Sequence, residues 1–579
     1  MRDRTTAQAV PEPVATDFAS ARPAPVDPGW YKRAVFYEVL VRAFADSDGD
    51  GVGDLRGLTA RLDHLKWLGV DCLWLPPFYA SPLRDGGYDI SDYRSVLPEF
   101  GTIDDFVALL DAAHQRGIRV IVDMVMNHTS DAHPWFQESR HDPEGPYGDF
   151  YMWADDDTGY PDARIIFVDT ETSNWAYDPV RGQYYWHRFF SHQPDLNYEN
   201  PRVLDAMTDA LRFWLDLGID GFRLDAVPYL FAREGTDCEN LPETHDFLKS
   251  VRKVVDDEYP GRVLLAEANQ WPQDAVAYFG ETGLTGDECH MAFHFPLMPR
   301  VFMALRREEA APVTEILANT PHIPDDCQWG IFLRNHDELS LEMVTDEERA
   351  YMYDAYAPHP RMRANVGIRR RLAPLLGDDG DRLRLATALL LSLPGSPILY
   401  YGDEIGMGDN IWLADRDAVR TPMQWDDGPN AGFSTADPDR LYLPVVATRD
   451  HAPDRVNVAA QLTDDGSLLH FTRRMLRLRR AHPAFGEGTF TPAAASDEAV
   501  LAFVRDHAPP EGPRDRVLCV VNLAAGPRTC ALTVPGVTGA RLRDLTDGTV
   551  HPVSEGRLTL DLPRLGVRWF AVEEPEDRP

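Results

Sequence analysis

VLDAMTDALRFWLDLGIDGFRLDAV, residues 203–227, places a stretch of helical length (203–218) directly before a short strand-like run, GFRLD (221–225), that ends in charge. The same alternation recurs on both sides. Ahead of it stand AVFYEVLV (34–41), CLWLPP (72–77) and RVIVDMV (119–125). Beyond it come VLLAEA (263–268), CHMAFHFP (289–296), WGIFLRNHD (329–337) and SPILYYGDE (396–404). Between these runs lie IDDFVALLDAAHQRG (103–117), FLKSVRKVVDDEYPG (247–261) and LTARLDHLKWLG (58–69), whose Leu58, Leu62, Leu65 and Leu68 recur at helical spacing. Eight strand candidates, most followed by a helix, predict parallel strands with right-handed crossovers that close into an α/β fold, the (β/α)₈ TIM barrel. An open doubly wound sheet would want a Gly-rich phosphate loop after an early strand, and none stands there.

The barrel is expected to occupy 30–127 and 195–488. Residues 128–194, rich in aromatics, Gly and Asp and without a helical period, read as a small inserted domain over the barrel mouth. A second insertion, 338–380, follows the seventh strand, and helical stretches at 382–393 and 468–481 supply the last barrel helices. Over 489–579 the pattern changes to short alternating runs (AVLAFVRD, RVLCVVNLA, VRWFAVEE), which predict an antiparallel β-sandwich. Residues 1–29, rich in Pro, Ala and Ser, read as a disordered tail.

A net charge of −36 repels phosphate backbones and anionic lipid surfaces, so nucleic-acid and membrane partners are disfavoured. There is no apolar run of transmembrane length and no secretory-type N-terminus, which predicts a cytoplasmic protein. Six scattered cysteines without a CxxC pair predict reduced thiols, with neither disulfide nor zinc.

In such a barrel the chemistry sits at the C-terminal ends of the strands. Four apolar runs end there in polar groups: DMVMNH (Asp123, Asn127, His128), GFRLD (Arg223, Asp225), LLAE (Glu267) and RNHD (Arg334, Asn335, His336, Asp337). Asp225, Glu267 and Asp337 thereby project into one mouth. Two carboxylates flanking a bond are what glycoside cleavage needs, one to attack or steady the oxocarbenium-like carbon and one to protonate the leaving oxygen. Arg223, two residues before Asp225, shares its barrel face and can hold it ionised. Like charges nearby should raise the pKa of Glu267, as a general acid requires. Asp123, earlier in its strand, reads as a salt-bridge residue of the barrel mouth.

The run from Asp46 to Asp54 has the first nine positions of a calcium loop: acids at Asp46, Asp48, Asp50 and Asp54, with glycine at the sixth position. Gly57 stands where the bidentate glutamate belongs. The loop reads either as a Ca²⁺ or Mg²⁺ site built from those four side chains and the Val52 carbonyl, or as a solvated acidic turn.

In order and position, the four strand-end segments resemble the barrel motifs of the α-amylase superfamily of glycoside hydrolases and transglycosidases, over essentially all of 30–579. The resemblance implies Asp225 as nucleophile, Glu267 as general acid/base and Asp337 as transition-state stabiliser, with His128 and His336 hydrogen-bonding the glucosyl ring. RDGGYDISDY (84–93), with Tyr88 and Asp89, and ADRDAVRTPMQW (414–425), with Arg420, are similar to segments of the α-glucosidase branch. They imply an Asp89–Arg420 salt bridge closing a pocket for one terminal glucosyl unit. A structural calcium is implied at Asn127 and Asp195, with the Tyr229 and Leu230 carbonyls.

Within the superfamily, AVPYLFAREGTDCENLPETH (226–245), AEANQWPQD (266–274), FHFPLMPR (293–300), RNHDELSLEMVTDEER (334–349) and YMYDAYAPHPRMRANVGIRRRLAPLL (351–376) resemble the trehalose synthases. At the implied calcium site, Ala232 stands where the trehalose synthases usually carry Glu. That branch implies intramolecular exchange between maltose and trehalose with minor hydrolysis, no organic cofactor, a homo-oligomer, and assembly with a maltokinase. The last segment falls over the mouth, where it can cover the site; its Arg361, Arg363, Arg369, Arg370 and Arg371 read equally as a solvated face or an assembly surface. Arg164 and Glu338 are candidates to hold the leaving glucose or to latch the inserted domain. The rival readings are a hydrolytic α-glucosidase, a sucrose isomerase, and a non-catalytic amylase-like transporter subunit, which should lack part of the triad.

Overall fold

The computed structural model describes residues 27–280, 285–537 and 540–573. Of the tail expected over 1–29, residues 1–26 lie outside the described residues. Asp27 pairs with Arg33 and its carbonyl accepts from the Trp30 amide at 3.2 Å, so 27–29 belong to the folded chain.

Eight parallel strands close a barrel: β1 (Phe36–Glu38), β2 (Cys72–Leu75), β3 (Arg119–Val125), β4 (Gly221–Asp225), β5 (Val263–Ala266), β6 (Met291–Phe293), β7 (Gln328–Phe332) and β8 (Ser396–Tyr400). Each pairs with the next, and β8 returns to β1. The (β/α)₈ expectation holds. Individual strands are shorter than the apolar runs suggest: β7 stops at Phe332, and RNHD already lies in the loop beyond it.

The helices that cover the barrel begin and end where local chemistry says they should. In α1 (Ile103–Gln115), Thr102 and Asp105 form a capping box that satisfies two otherwise orphan amides. Asn200 caps α2 (Pro201–Leu217), and Gly218 ends it in a left-handed turn. Phe106 of α1 packs on Phe78 (4.8 Å between rings) and edge-on to Trp214 of α2 (5.2 Å). Each fully buried aliphatic or aromatic side chain of this kind contributes about 1.5–3 kcal/mol. The Trp214 indole also donates to the Tyr93 carbonyl at 2.7 Å, so its polar edge is satisfied as well.

Three units sit on this frame. The inserted domain carries a helix, Pro134–His141, and a three-stranded antiparallel sheet. The insertion after β7 forms a small antiparallel sheet (Leu339–Ser340, Gly367–Ile368, Arg363–Ala364) and a helix, Asp346–Tyr356, that starts at a Thr345–Glu348 capping box. Beyond residue 488 a six-stranded and a three-stranded antiparallel sheet enclose their own core, including Val520, Leu532, Leu560 and Phe570. The opposite face of the larger sheet packs on the barrel through Trp569 and Phe485, 4.5 Å apart. Among the described residues, no helix is long and apolar enough to cross a membrane.

Candidate active site

At the C-terminal end of the barrel the innermost layer of side chains is ionic. Asp123 on β3 and Arg223 on β4 are register partners, both buried, and their side chains meet at 2.9 Å. The same guanidinium touches Asp225, the last residue of β4, and Glu267, the first after β5, at 2.6 Å. One buried cation therefore gathers three carboxylates, and the Asp225 and Glu267 carboxyls lie side by side. Two carboxyls gathered on one guanidinium at the barrel mouth supply the pair that glycoside cleavage needs. Asp123 also accepts from the Tyr88 hydroxyl (2.6 Å) and the Trp74 indole (2.5 Å), which makes it part of the support under the site.

Asp337, on the loop after β7, is held by three cations: Arg416 at 2.9 Å, Arg420 at 3.0 Å and His336 Nε2 at 2.9 Å. These partners hold its carboxyl well below the usual range, against the opposing effect of burial. Burial pushes Asp225 up to about 6, with Arg223 pulling the other way. Glu267 rises to about 7, first through burial and only then through the charges of Asp225 and Asp337, while Arg223 opposes. Like charge was the expected cause, and desolvation is the larger one. Near neutral pH Asp337 is ionised, Asp225 is mostly ionised, and Glu267 retains a substantial protonated fraction. Those are the protonation states that a stabiliser, a nucleophile and a general acid would need.

These carboxylates line one pocket together with His128, Phe167, Phe295 and Tyr229. His128 presents a buried Nε2 that has no protein partner. Burial drives its pKa down to about 3, leaving a neutral ring suited to a sugar hydroxyl. His336 is placed differently from expectation. Its nitrogens are engaged by Glu38, Asp337 and Tyr88, so as arranged here it supports Asp337 instead of facing the sugar.

The ion pair expected between Asp89 and Arg420 is not formed. Asp89 folds its own loop, accepting from Ser81 Oγ (3.0 Å) and the Arg84 and Asp85 amides (3.1 Å each). Arg420 goes instead to Asp337 and to the His336 carbonyl at 2.9 Å. The pair that closes the pocket is Asp85–Arg416, at 2.5 Å, with Gln193 on the other Asp85 oxygen at 2.9 Å. Each of the two segments holds two candidates, and the turn built by Asp89 presents Asp85 to the pocket.

The roof comes from the two insertions. Arg164 of the inserted domain binds Glu342 (2.9 Å) and Glu239 (2.8 Å), and donates to the Tyr229 hydroxyl at 3.0 Å. Asp169 accepts from the Asn365 amide at 2.8 Å. Asn269, two residues past Glu267, donates to Glu342 and to Ser340 Oγ, both at 2.9 Å. Glu338 lines the pocket and accepts from Asn365 Nδ2 at 3.1 Å. Arg164 is thus a latch between the insertions, and Glu338 borders the space beside Asp337. Asn269 and Glu342 lie within segments already quoted, yet no periodicity or spacing marks them, because their role depends on two loops meeting.

Residues 38–357 and 369–488 match the family described as "Alpha amylase, catalytic domain". The chain belongs to the alpha-amylase family. Residues 490–569 match "Maltogenic Amylase, C-terminal domain", and the gap in the first match, 358–368, falls inside the insertion after β7. Similar members include the trehalose synthase/amylase TreS of Mycolicibacterium smegmatis, 66% identical over 576 residues, covering 98% of this chain and 97% of that one. The trehalose synthase of Pimelobacter sp. is 61% identical over 556 residues, 95% and 97% of the two chains. Among solved structures, the trehalulose synthase MutB of Pseudomonas mesoacidophila superposes with a TM-score of 0.75 at 29% identity, covering 95% of this chain and all of that one.

For this alpha-amylase family member, two groups have the donor chemistry of cation sites. Asn127 Oδ1 and Asp195 Oδ2 are buried without a hydrogen-bond partner, and burial raises Asp195 to about 8. A divalent cation would supply the missing charge, so these residues fit. Asp46, Asp48 and Asp50 bring carboxylate oxygens within 4.8 Å of one another. Asp54 is not in that cluster: its carboxylate caps the helix Leu55–Ala60, accepting from the Gly57 and Ser47 amides at 2.7 Å each.

Proposed function

We propose that the enzyme interconverts maltose and trehalose by moving one glucosyl group within a closed pocket. The observation that carries this reading is the bridged mouth. Asp85–Arg416 seals the glucosyl end, and Arg164–Glu342 with Asp169–Asn365 joins the two insertions above the carboxylates. Asp225 attacks C1 of the non-reducing glucose of maltose, and the bond from C1 to the other sugar's O4 breaks as Glu267 protonates that oxygen. The glucosyl–Asp225 ester then waits while the freed glucose turns. Its anomeric hydroxyl attacks C1, Glu267 takes that proton, and the ester bond breaks to leave trehalose. Two inversions preserve the α configuration. Water in place of the turned glucose gives hydrolysis, and the roof suppresses that outcome by exclusion.

Asn127 and Asp195, with the Tyr229 and Leu230 carbonyls, would hold a calcium ion; Asp46, Asp48 and Asp50 would hold a second dication. Each would supply positive charge that fixes its loop. The reading places the enzyme in the cytoplasm, where its six free, buried cysteines would stay reduced.

Incubation with maltose, followed by chromatography, should give mainly trehalose and a small amount of glucose. In Arg164→Ala the glucose share should rise several-fold as the roof loosens. Glucose as the sole product of the wild type would establish an exo-acting α-glucosidase instead.

A further inference from the structure

Glu38, the last residue of β1, belongs to none of the strand-end motifs, yet it is fully buried beside them. Its Oε1 accepts from the His336 amide at 3.2 Å and faces His336 Nδ1. Across the ring, Nε2 lies 2.9 Å from Asp337 Oδ2 and 2.8 Å from the Tyr88 hydroxyl oxygen. The Tyr88 proton is committed to Asp123 at 2.6 Å, which leaves that oxygen free to accept. Both ring nitrogens therefore face acceptors, and a ring can satisfy acceptors on both sides only when each nitrogen carries hydrogen. Tyr88 stacks on the ring at 5.2 Å and Trp74 meets it edge-on at 5.9 Å, so aromatic faces flank it.

We propose that Glu38 is a positioning residue: it holds His336 doubly protonated, and the imidazolium in turn clamps Asp337 in the orientation that meets the glucosyl unit. The proposal rests on the reading of Asp337 as a substrate-touching carboxylate. Other charged groups around the ring are Arg420, whose Nε donates to the His336 carbonyl at 2.9 Å; Asp123 behind Tyr88; Arg223, whose guanidinium lies over the Tyr88 and Trp74 rings; and Arg416, on the other Asp337 oxygen at 2.9 Å. Burial alone would neutralise the ring, but Asp337 and Glu38 outweigh it and raise His336 to about 9. The second Glu38 oxygen is buried without a hydrogen-bond partner, so the contacts of this carboxyl group are those it makes with His336.

Glu38→Gln tests charge without removing shape, because the amide oxygen can still accept from Nδ1–H. The direct readout is the imidazole ¹⁵N signal of His336, assigned by its loss in His336→Gln. In the wild type it should remain that of an imidazolium through pH 8. In E38Q the transition should fall to the ordinary histidine value of about 6.5 or below. Relative to wild type at the same pH, kcat on maltose should then drop about tenfold per pH unit above that transition, with KM changing less. A merely structural defect would lower activity equally at every pH. A wild-type His336 that is neutral at pH 7.5, or an E38Q profile of wild-type shape, overturns the proposal. Should maltose yield glucose alone, the isomerase reading fails, and the His336 titration still decides the part played by Glu38.

Discussion

Asp225→Ala is expected to lower kcat on maltose by at least about 10⁴-fold, and to remove isomerisation and hydrolysis together. In the proposed mechanism both outcomes pass through one ester at this carboxylate, so no route bypasses it. The substitution should leave the fold intact for a reason visible in the site. Arg223 keeps Asp123 and Glu267 as partners when Asp225 is gone, and so is not stranded as an unpaired buried cation. A 5-fluoro-glucosyl fluoride should label Asp225 in the wild type. Labelling at Glu267 or Asp337 would reverse the assignment of roles.

Arg416→Ala should be the next most damaging change, with a loss of about 10²–10³-fold in kcat/KM for a terminal α-glucoside. Arg416 is buried between Asp85 at 2.5 Å and Asp337 at 2.9 Å, and its removal leaves Asp85 without its cation and Asp337 with one fewer. A sugar hydroxyl cannot replace that charge. Asp89→Asn is the contrast: it touches the loop that presents Asp85, not the pocket wall, so its main cost should fall on thermal stability. Near-full turnover by Arg416→Ala on 4-nitrophenyl α-glucoside would remove the sealed end from the account.

The barrel was legible because each of its eight strands is a short apolar run, and α1 and α2 carry their own caps and stops. Asp225, Glu267 and Asp337 were legible because they terminate or closely follow such runs. What escaped were partnerships between loops distant in sequence. Asp85 and Arg416 lie 331 residues apart, and the structure chooses them over the neighbouring Asp89 and Arg420 because Asp89 is consumed in shaping a turn. Glu38 escaped for a related reason. A single acid at the end of a strand carries no spacing signal, and its meaning depends on a histidine 298 residues away. His336 itself was read as a sugar ligand because sequence reveals which side chains stand near a mouth, not which of their nitrogens are already engaged. Asp54, placed by spacing in a metal loop, lies outside the Asp46, Asp48 and Asp50 cluster and caps the helix that begins at the next residue.

In the proposed mechanism the glucose released from maltose stays in the pocket, turns and is captured again. The most direct measurement is to convert unlabelled maltose in the presence of excess isotopically labelled free glucose, and to follow label in the trehalose by mass spectrometry. Little incorporation is expected, together with a small steady release of unlabelled glucose by hydrolysis. Trehalose in which one ring carries label in proportion to the labelled glucose supplied would mean that the acceptor site is open to solvent, and would contradict the closed-pocket mechanism even with trehalose as the product.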